Sequence, residues 1–234
     1  MTDNNFFRYR VVTGYSSFNR HCDRLQIDKD MHLLTNDLIF LNASVNGRTG
    51  EVTMTALDDA SATGGVTYMA TDGERSGIAV LDGTGTLNLG KAIQEGEPSS
   101  LSATVEGWFY VEKWVEGAVL FEQKENDSNL FGIYLGNLEK KQLIVKADGW
   151  QMECDNVLGP EQWQHLAVTM DPTSSRNPMR IYVNNQNLKG TIDKPADGVM
   201  YTLKDIDADA VVGTGFIGKM DELMVWRNAR TTFT

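Results

Sequence analysis

Short runs of alternating apolar and polar residues, separated by turn residues, are the feature that most constrains how this chain folds. In one such run Val105, Phe109 and Val111 alternate with Glu106 and Trp108. Because side chains on a strand point to opposite faces at every step, this alternation predicts half-buried β-strands rather than helices. Similar runs occur at 7–11, 143–145, 165–170, 181–183 and 220–225.

Turn signals separate these runs. Asp148-Gly149 lies between two apolar stretches and is a strong hairpin signal, and Asn184-Asn185 suits left-handed turn geometry. Strands at short spacing, without helical segments between them, predict an all-β protein built as an antiparallel two-sheet sandwich. The segment 19–34 fits a helix or a strand followed by a loop equally well.

Composition and charge limit the classes of partner that this chain is expected to bind. The 234 residues are 41% hydrophobic, with a net charge of −11. An acidic chain repels phosphates, so nucleic acid is not an expected partner, whereas neutral ligands and divalent cations remain compatible with the charge. No apolar stretch approaches the roughly 20 residues of a membrane span, so membrane insertion is not expected.

The two cysteines, Cys22 and Cys154, are too few and too far apart for a zinc motif of the Cys-x-x-Cys type. They fit either one disulfide or two reduced thiols. The first eight residues do not resemble a signal peptide.

Six motifs follow one another from about residue 36 onward. They occupy 42–47, 79–89, 103–110, 162–171, 180–185 and 211–226, and the last contains Asp-Glu-Leu-Met-Val-Trp. In this order they resemble the laminin-G-like domain of the concanavalin A-like lectin/glucanase superfamily. The resemblance implies a jelly-roll sandwich over residues 36–234. Residues 1–35 would form an N-terminal extension or an extra edge strand.

The resemblance also implies one structural calcium. Its ligands would be Asp221 of the closing motif and groups near Asp82, in the glycine-rich turn of the second motif. Calcium binds six to eight oxygens, many of which can be backbone carbonyls.

Catalysis is not expected, although the superfamily includes glucanases. Glycoside hydrolysis needs two carboxylates that flank one bond, which on a strand requires acids at alternate positions. Asp221 and Glu222 are adjacent, and Glu122 and Glu125 are three apart, so each pair should point to opposite faces. Asp205, Asp207 and Asp209 do alternate, but they have no accompanying glutamate.

The tryptophans supply the binding hypothesis. Trp108, Trp163 and Trp226 occupy positions that the resemblance assigns to the core. Trp114 at a strand end and Trp150 after a hairpin turn should instead be exposed, or else cover the edge of the sandwich. Exposed rings are flat platforms that suit the apolar face of a sugar.

Three polar residues complete this predicted site: Asn126, Asn129 and Tyr134. The sequence therefore predicts a non-catalytic, lectin-like module outside the cell or at its surface, which recognises a glycan or glycoprotein surface. The alternatives are a protein-interaction or adhesion module and a degenerate glycoside hydrolase.

Overall fold

The computed structural model describes residues 9–12, 38–45, 52–73, 75–90, 92, 102–127, 129–174, 178–193, 206–226 and 229–233. All regular secondary structure in these ranges is β-strand. The strands are β1 Tyr9–Val12, β2 Leu38–Val45, β3 Val52–Thr63, β4 Val66–Asp72, β5 Arg75–Asp82, β6 Thr86–Asn88, β7 Ala103–Lys113, β8 Val119–Asn126, β9 Asn129–Leu135, β10 Leu143–Ala147, β11 Trp150–Cys154, β12 Trp163–Met170, β13 Met179–Val183, β14 Gln186–Leu188, β15 Thr191–Asp193, β16 Ala210–Val212 and β17 Ile217–Trp226.

The first sheet, sheet A, is centred on β17. One side of β17 pairs with β7, and the sheet continues through β12, β13 and β14. The other side pairs with β5 along its first half and with β1 along its second half. Strand β4 extends the β5 branch, and β2 and β3 extend the β1 branch. All pairings of sheet A are antiparallel except the two that β1 makes.

The second sheet, sheet B, is antiparallel throughout. Its order is β3, β6, β16, β8, β9, β10, β11 and β15. The last residues of β3 pair in sheet B, whereas its earlier residues pair in sheet A, so β3 runs from one sheet into the other. The predicted all-β, two-sheet antiparallel sandwich is confirmed.

The core lies between the two sheets and follows the strand alternation. In β7, Val105, Phe109 and Val111 are buried in one apolar cluster with Phe121 and Phe131 of sheet B. Burial of apolar surface contributes about 25 cal/mol per Å², so this alternation is the main determinant of which face of each strand points inward. Residues of the opposite parity therefore lie on the outer faces.

The predicted hairpin at Asp148-Gly149 is confirmed. These residues join β10 to β11, and Ala147 pairs with Trp150 directly across the turn. Both turn residues have positive φ, 47° and 74°, which is the geometry that Asp-Gly favours in a two-residue hairpin.

The amino-terminal region is described only at Tyr9–Val12 in the first 35 residues. This strand pairs with both β17 and β2, which places it within sheet A rather than at an edge. The segment 19–34, Cys22 and Asp205 lie outside the described residues, and the division at residue 35 stays a prediction.

Candidate functional site

The exposure expected of Trp114 and Trp150 is wrong. Trp150 is 5% exposed and Trp114 is 8% exposed, and both belong to the core cluster. Trp150 shares its strand face with Met152 and Cys154, which are also buried. The Trp114 indole N–H donates to the Gly136 carbonyl at 2.9 Å. Because neither ring presents a face to solvent, neither can act as the predicted stacking platform.

The burial expected of Trp108 and Trp163 is also wrong, whereas Trp226 is buried as predicted. Trp108 and Tyr110 have the strand parity opposite to Phe109 and point away from the core, and both are half-buried. Trp163 of the neighbouring strand β12 is half-buried on the same outer face. Trp108, Tyr110 and Trp163 therefore form a group of partly exposed rings on the outside of sheet A.

Two cross-strand rows organise this outer surface. In one row Lys219 pairs with Tyr110 and Tyr110 pairs with Trp163. In the next row Asp221 pairs with Trp108, which in turn pairs with His165. We call Trp108, Tyr110 and Trp163, together with the charged residues around them, the aromatic face.

Two cations lie against these rings. The Arg75 guanidinium is 3.7 Å from the Trp108 ring centroid and 5.2 Å from that of Trp163. The Lys219 ammonium is 4.5 Å from the Tyr110 centroid, and Tyr110 and Trp163 are 5.7 Å apart. Such cation–π contacts orient the rings and contribute about 0.5–2 kcal/mol each. The aromatic face is therefore held in a fixed arrangement by its own side chains.

Carboxylates neutralise both cations. Asp221 Oδ2 is 2.9 Å from Arg75 Nη1, and Glu222 Oε2 is 3.9 Å from the same nitrogen. Lys219 Nζ is 2.8 Å from Asp72 Oδ2, which also accepts a hydrogen bond from the Trp163 indole N–H at 3.2 Å. The face thus combines apolar rings with a rim of hydrogen-bond acceptors.

The environment shifts the pKa values of these groups in different directions. The hydrogen bond from Lys219 lowers the pKa of Asp72, and the same bond raises the pKa of Lys219. Burial raises the pKa of Asp221, because its desolvation outweighs the hydrogen bond from Arg75. Burial and the Arg75 guanidinium thus shift the pKa of Asp221 in opposite directions.

A β-bulge in β17 places Asp221 and Glu222 on the same side of the strand. The register with β7 shifts between Asp221 and Met224, and Glu222 has a φ of 49°. A bulge inserts an extra residue, which changes the alternation of side chains. The expectation that these two adjacent acids point to opposite faces is therefore wrong.

The segment 229–233 covers the other end of the outer face. Phe233 is buried against Tyr182, with centroids 4.9 Å apart, and lies 5.9 Å from the His165 ring. Arg230 lies 3.8 Å from the Trp226 ring centroid and 3.8 Å from Glu106 Oε1. Only the half that carries Trp108, Tyr110 and Trp163 is thus available to a ligand among the described residues.

The residues predicted to hold calcium do not fit one ion. Asp82 pairs with Ile217, four residues before Asp221 on β17, so the backbone positions of the two aspartates are about 13 Å apart along the strand direction. Asp82 accepts two hydrogen bonds from Thr84, which lower the pKa of its carboxyl, and Asp221 is bound to Arg75. The guanidinium thus supplies the positive charge that calcium would bring to Asp221. No cluster of three or more potential metal ligands occurs in the part of the chain that is described.

The remaining predicted ligand residues lie on sheet B. Tyr134 is half-buried on its outer face, extends over Gly132 and donates its hydroxyl hydrogen bond to Glu122 at 2.6 Å. Burial and the Glu122 carboxylate raise the pKa of Tyr134. Asn126 and Asn129 pair next to the turn of the β8–β9 hairpin. The structure therefore does not bring these residues together with Trp114 or Trp150.

Helix content and the state of Cys154 in the described residues bear on the membrane and disulfide expectations. No helix in that part of the chain is long and apolar enough to cross a membrane. Cys154 is buried with a free thiol, its Sγ lies 3.5 Å from the Lys189 carbonyl oxygen, and burial raises its pKa.

Comparisons with known proteins agree with this fold. A Laminin_G_3 family model, described as concanavalin A-like lectin/glucanases superfamily, matches residues 81–232. No curated protein is significantly similar to the chain in sequence.

Two solved structures illustrate the likeness. Domain 4 of AbnA, an extracellular arabinanase from Geobacillus stearothermophilus in complex with arabinotriose, has a TM-score of 0.55 and 18% identity over 73% of this chain and 82% of that chain. A botulinum neurotoxin type C structure, described as interacting with two ganglioside molecules for cell entry, has a TM-score of 0.53 and 14% identity over 81% of this chain and 48% of that one. At these identities the likeness establishes the fold, one that carbohydrate-binding domains share.

Proposed function

The chain belongs to the concanavalin A-like lectin/glucanase superfamily, and from this premise we propose that it is a non-catalytic carbohydrate-binding module whose glycan ligand docks on the aromatic face. The observation that carries the proposal is the set of three half-buried rings, Trp108, Tyr110 and Trp163, on the adjacent strands β7 and β12.

These rings match what a sugar needs. A pyranose or furanose has an apolar C–H surface that stacks on an aromatic ring and hydroxyls at its edge that need hydrogen-bond partners. Trp163 provides the ring, and Asp72 and Glu112 are acceptors at the margin of the face. The cation–π and ion-pair contacts fix the rings before binding, which lowers the entropy cost of association.

The solved structures support a sugar as the ligand. The arabinanase domain was solved with arabinotriose, and the neurotoxin structure is described by its interaction with gangliosides. That this chain binds a sugar at all is part of the proposal, as is a position outside the cell or at its surface.

A protein-interaction role is less well supported. Protein-binding surfaces are often contiguous apolar patches of several hundred Å². The large hydrophobic residues that are exposed among those described are Met69 and Leu138, which lie on β4 and in the loop after β9.

A glycosidase is also less well supported, even though the bulge brings Asp221 and Glu222 together. An acid–base pair needs both carboxyl groups at the substrate. Asp221 is only 3% exposed, and one of its oxygens is bound to Arg75.

The test is glycan binding by the wild-type chain and two matched variants. Trp163→Ala should weaken binding by about 2 kcal/mol or more, roughly 30-fold in Kd, because it removes a central aromatic contact. Tyr134→Ala is the control, since it removes a half-buried aromatic from the outer face of the opposite sheet. Loss of binding in the Tyr134 variant alone would move the site to sheet B, and hydrolysis of any bound glycan would refute the non-catalytic role.

A further inference from the structure

The charged residues of the aromatic face differ in how far solvent reaches them. Both cations are mostly buried, since the side chains of Arg75 and Lys219 are 16% and 14% exposed, and the carboxylate of Asp221 is also buried, at 3%. Three of the carboxylates are more open: Asp72 is 32%, Glu112 is 43% and Glu222 is 51% exposed. A ligand arriving from solvent therefore meets negative charge first.

Both cations are engaged on two sides. Arg75 lies between the Trp108 ring and the Asp221 carboxylate, and Lys219 lies between the Tyr110 ring and Asp72. An acidic sugar could take either cation only by competing with a carboxylate that is already in place at 2.8–2.9 Å. The protein has thus satisfied its own positive charges internally.

The formal charges of the aromatic face also add up to a negative total. Two cations face four carboxylates, namely Asp72, Glu112, Asp221 and Glu222. Like charges brought together at a binding surface repel each other and weaken association, and the chain as a whole carries −11. Hydroxyl groups, by contrast, can donate hydrogen bonds to exposed carboxylates.

We infer that the aromatic face selects neutral glycans and rejects acidic ones that carry sialic or uronic acid. The inference rests on the proposed glycan-binding function and adds the class of sugar. Asp72, Glu112 and Glu222 act as specificity-determining residues, and Arg75 and Lys219 hold the rings rather than the ligand.

The experiment uses an array of matched pairs, in which each neutral oligosaccharide is printed beside the same oligosaccharide with a terminal sialic or uronic acid. We expect the acidic member of each pair to bind at least about tenfold more weakly. The ratio should fall at high salt, because salt screens repulsion between exposed charges.

Variants that remove single charges identify the residues responsible for the selectivity between neutral and acidic glycans. Glu112→Gln and Glu222→Gln should each reduce the ratio of neutral to acidic binding by roughly twofold to fivefold, since exposed charges interact weakly. Glu139→Gln is the control, because Glu139 is exposed on the turn after β9 and its replacement changes the net charge by the same amount. An equal change in the control would assign the effect to net charge and overturn the inference.

Failure of the inference differs from failure of the proposed function. Preferential binding of acidic members that Trp163→Ala abolishes would overturn the selectivity and leave the glycan site intact. Absence of binding to both members of every pair would overturn the glycan-binding function itself.

Discussion

Asp221 and Glu222 are neighbours in sequence, yet their carboxylates approach the same guanidinium nitrogen of Arg75, at 2.9 and 3.9 Å. The bulge that permits this lies against Gly107 of β7, where an added Cβ would be 3.2 Å from Leu223 Cα. The absence of a side chain at residue 107 thus helps to position two charged groups on the aromatic face.

Gly107→Ala should destabilise the fold by about 1–3 kcal/mol, because the added methyl group overpacks against the backbone of the bulge. Gly132→Ala is the comparison, since the atoms nearest to its Cβ belong to the end of the Tyr134 side chain, which can rotate away, rather than to the backbone. Urea denaturation should show the larger loss for Gly107→Ala. An unchanged stability of Gly107→Ala would indicate that the bulge can shift without cost.

The tryptophans should separate into two classes on truncation. Trp150→Ala and Trp114→Ala should each cost about 3–5 kcal/mol of unfolding free energy, since both rings fill the core. Trp163→Ala should reduce stability less and reduce glycan affinity more, because the Trp163 ring is partly exposed. Thermal melts and binding isotherms on the same preparations test this division. A Trp150→Ala variant that stays stable but loses glycan binding would show that Trp150 contacts the ligand.

Arg75→Gln should destabilise the protein by about 3–5 kcal/mol near neutral pH, because it leaves the Asp221 carboxylate buried without its cation. Asp221→Asn in the same background should recover much of the loss. Unfolding free energies of the single and double variants measure the coupling. A loss of similar size in the double variant would mean that Arg75 acts through its stacking on Trp108.

The unfolding free energy of Arg75→Gln should depend on pH in a distinctive way. Burial already raises the folded-state pKa of Asp221 above 3.8, and removal of Arg75 raises that pKa further. A raised carboxyl pKa contributes stability that is complete below the unfolded-state pKa and is lost as pH rises through the folded-state pKa. The deficit of Arg75→Gln should therefore grow from acidic to neutral pH, as unfolding titrations would record.

Calcium binding is tested by melting curves in chelator and in millimolar calcium. With Arg75 against Asp221, we expect the two curves to overlay, since a ligand stabilises a fold only if it binds the native state. A melting temperature that rises with calcium and no longer does so in Asp221→Asn would restore the predicted metal site.

The fold could be predicted from local patterns because the strands obey them. The alternation through Val105, Phe109 and Val111 gives β7 its buried face, and Asp148-Gly149 forms the hairpin that its composition favours. Both signals depend on neighbouring residues alone, and they hold over most of the sandwich.

Strand parity, a signal present in the sequence, separates the partly exposed tryptophans from the buried ones. Trp108 has the same parity as Glu106, on the outer face, and Trp150 has the same parity as Met152, in the core. The expected exposure of Trp150 rests on its position after a turn, and strand parity overrides that position. The pairing of Arg75 with Asp221, by contrast, joins residues 146 apart and depends on a bulge, so no local pattern could indicate it.

The position of β17 at the centre of sheet A sets the order in which the sheet can be completed. Its partners β1, β5 and β7 all precede it in the chain by long intervals, and β5 and β1 share one of its edges. Topologies dominated by such distant contacts fold slowly, because loop closure must come before the contacts that compensate for it. Until β17 is inserted, β5 and β7 each present an unpaired edge to other chains. Aggregation through these edges is therefore a hazard of the folding pathway, before β17 is in place.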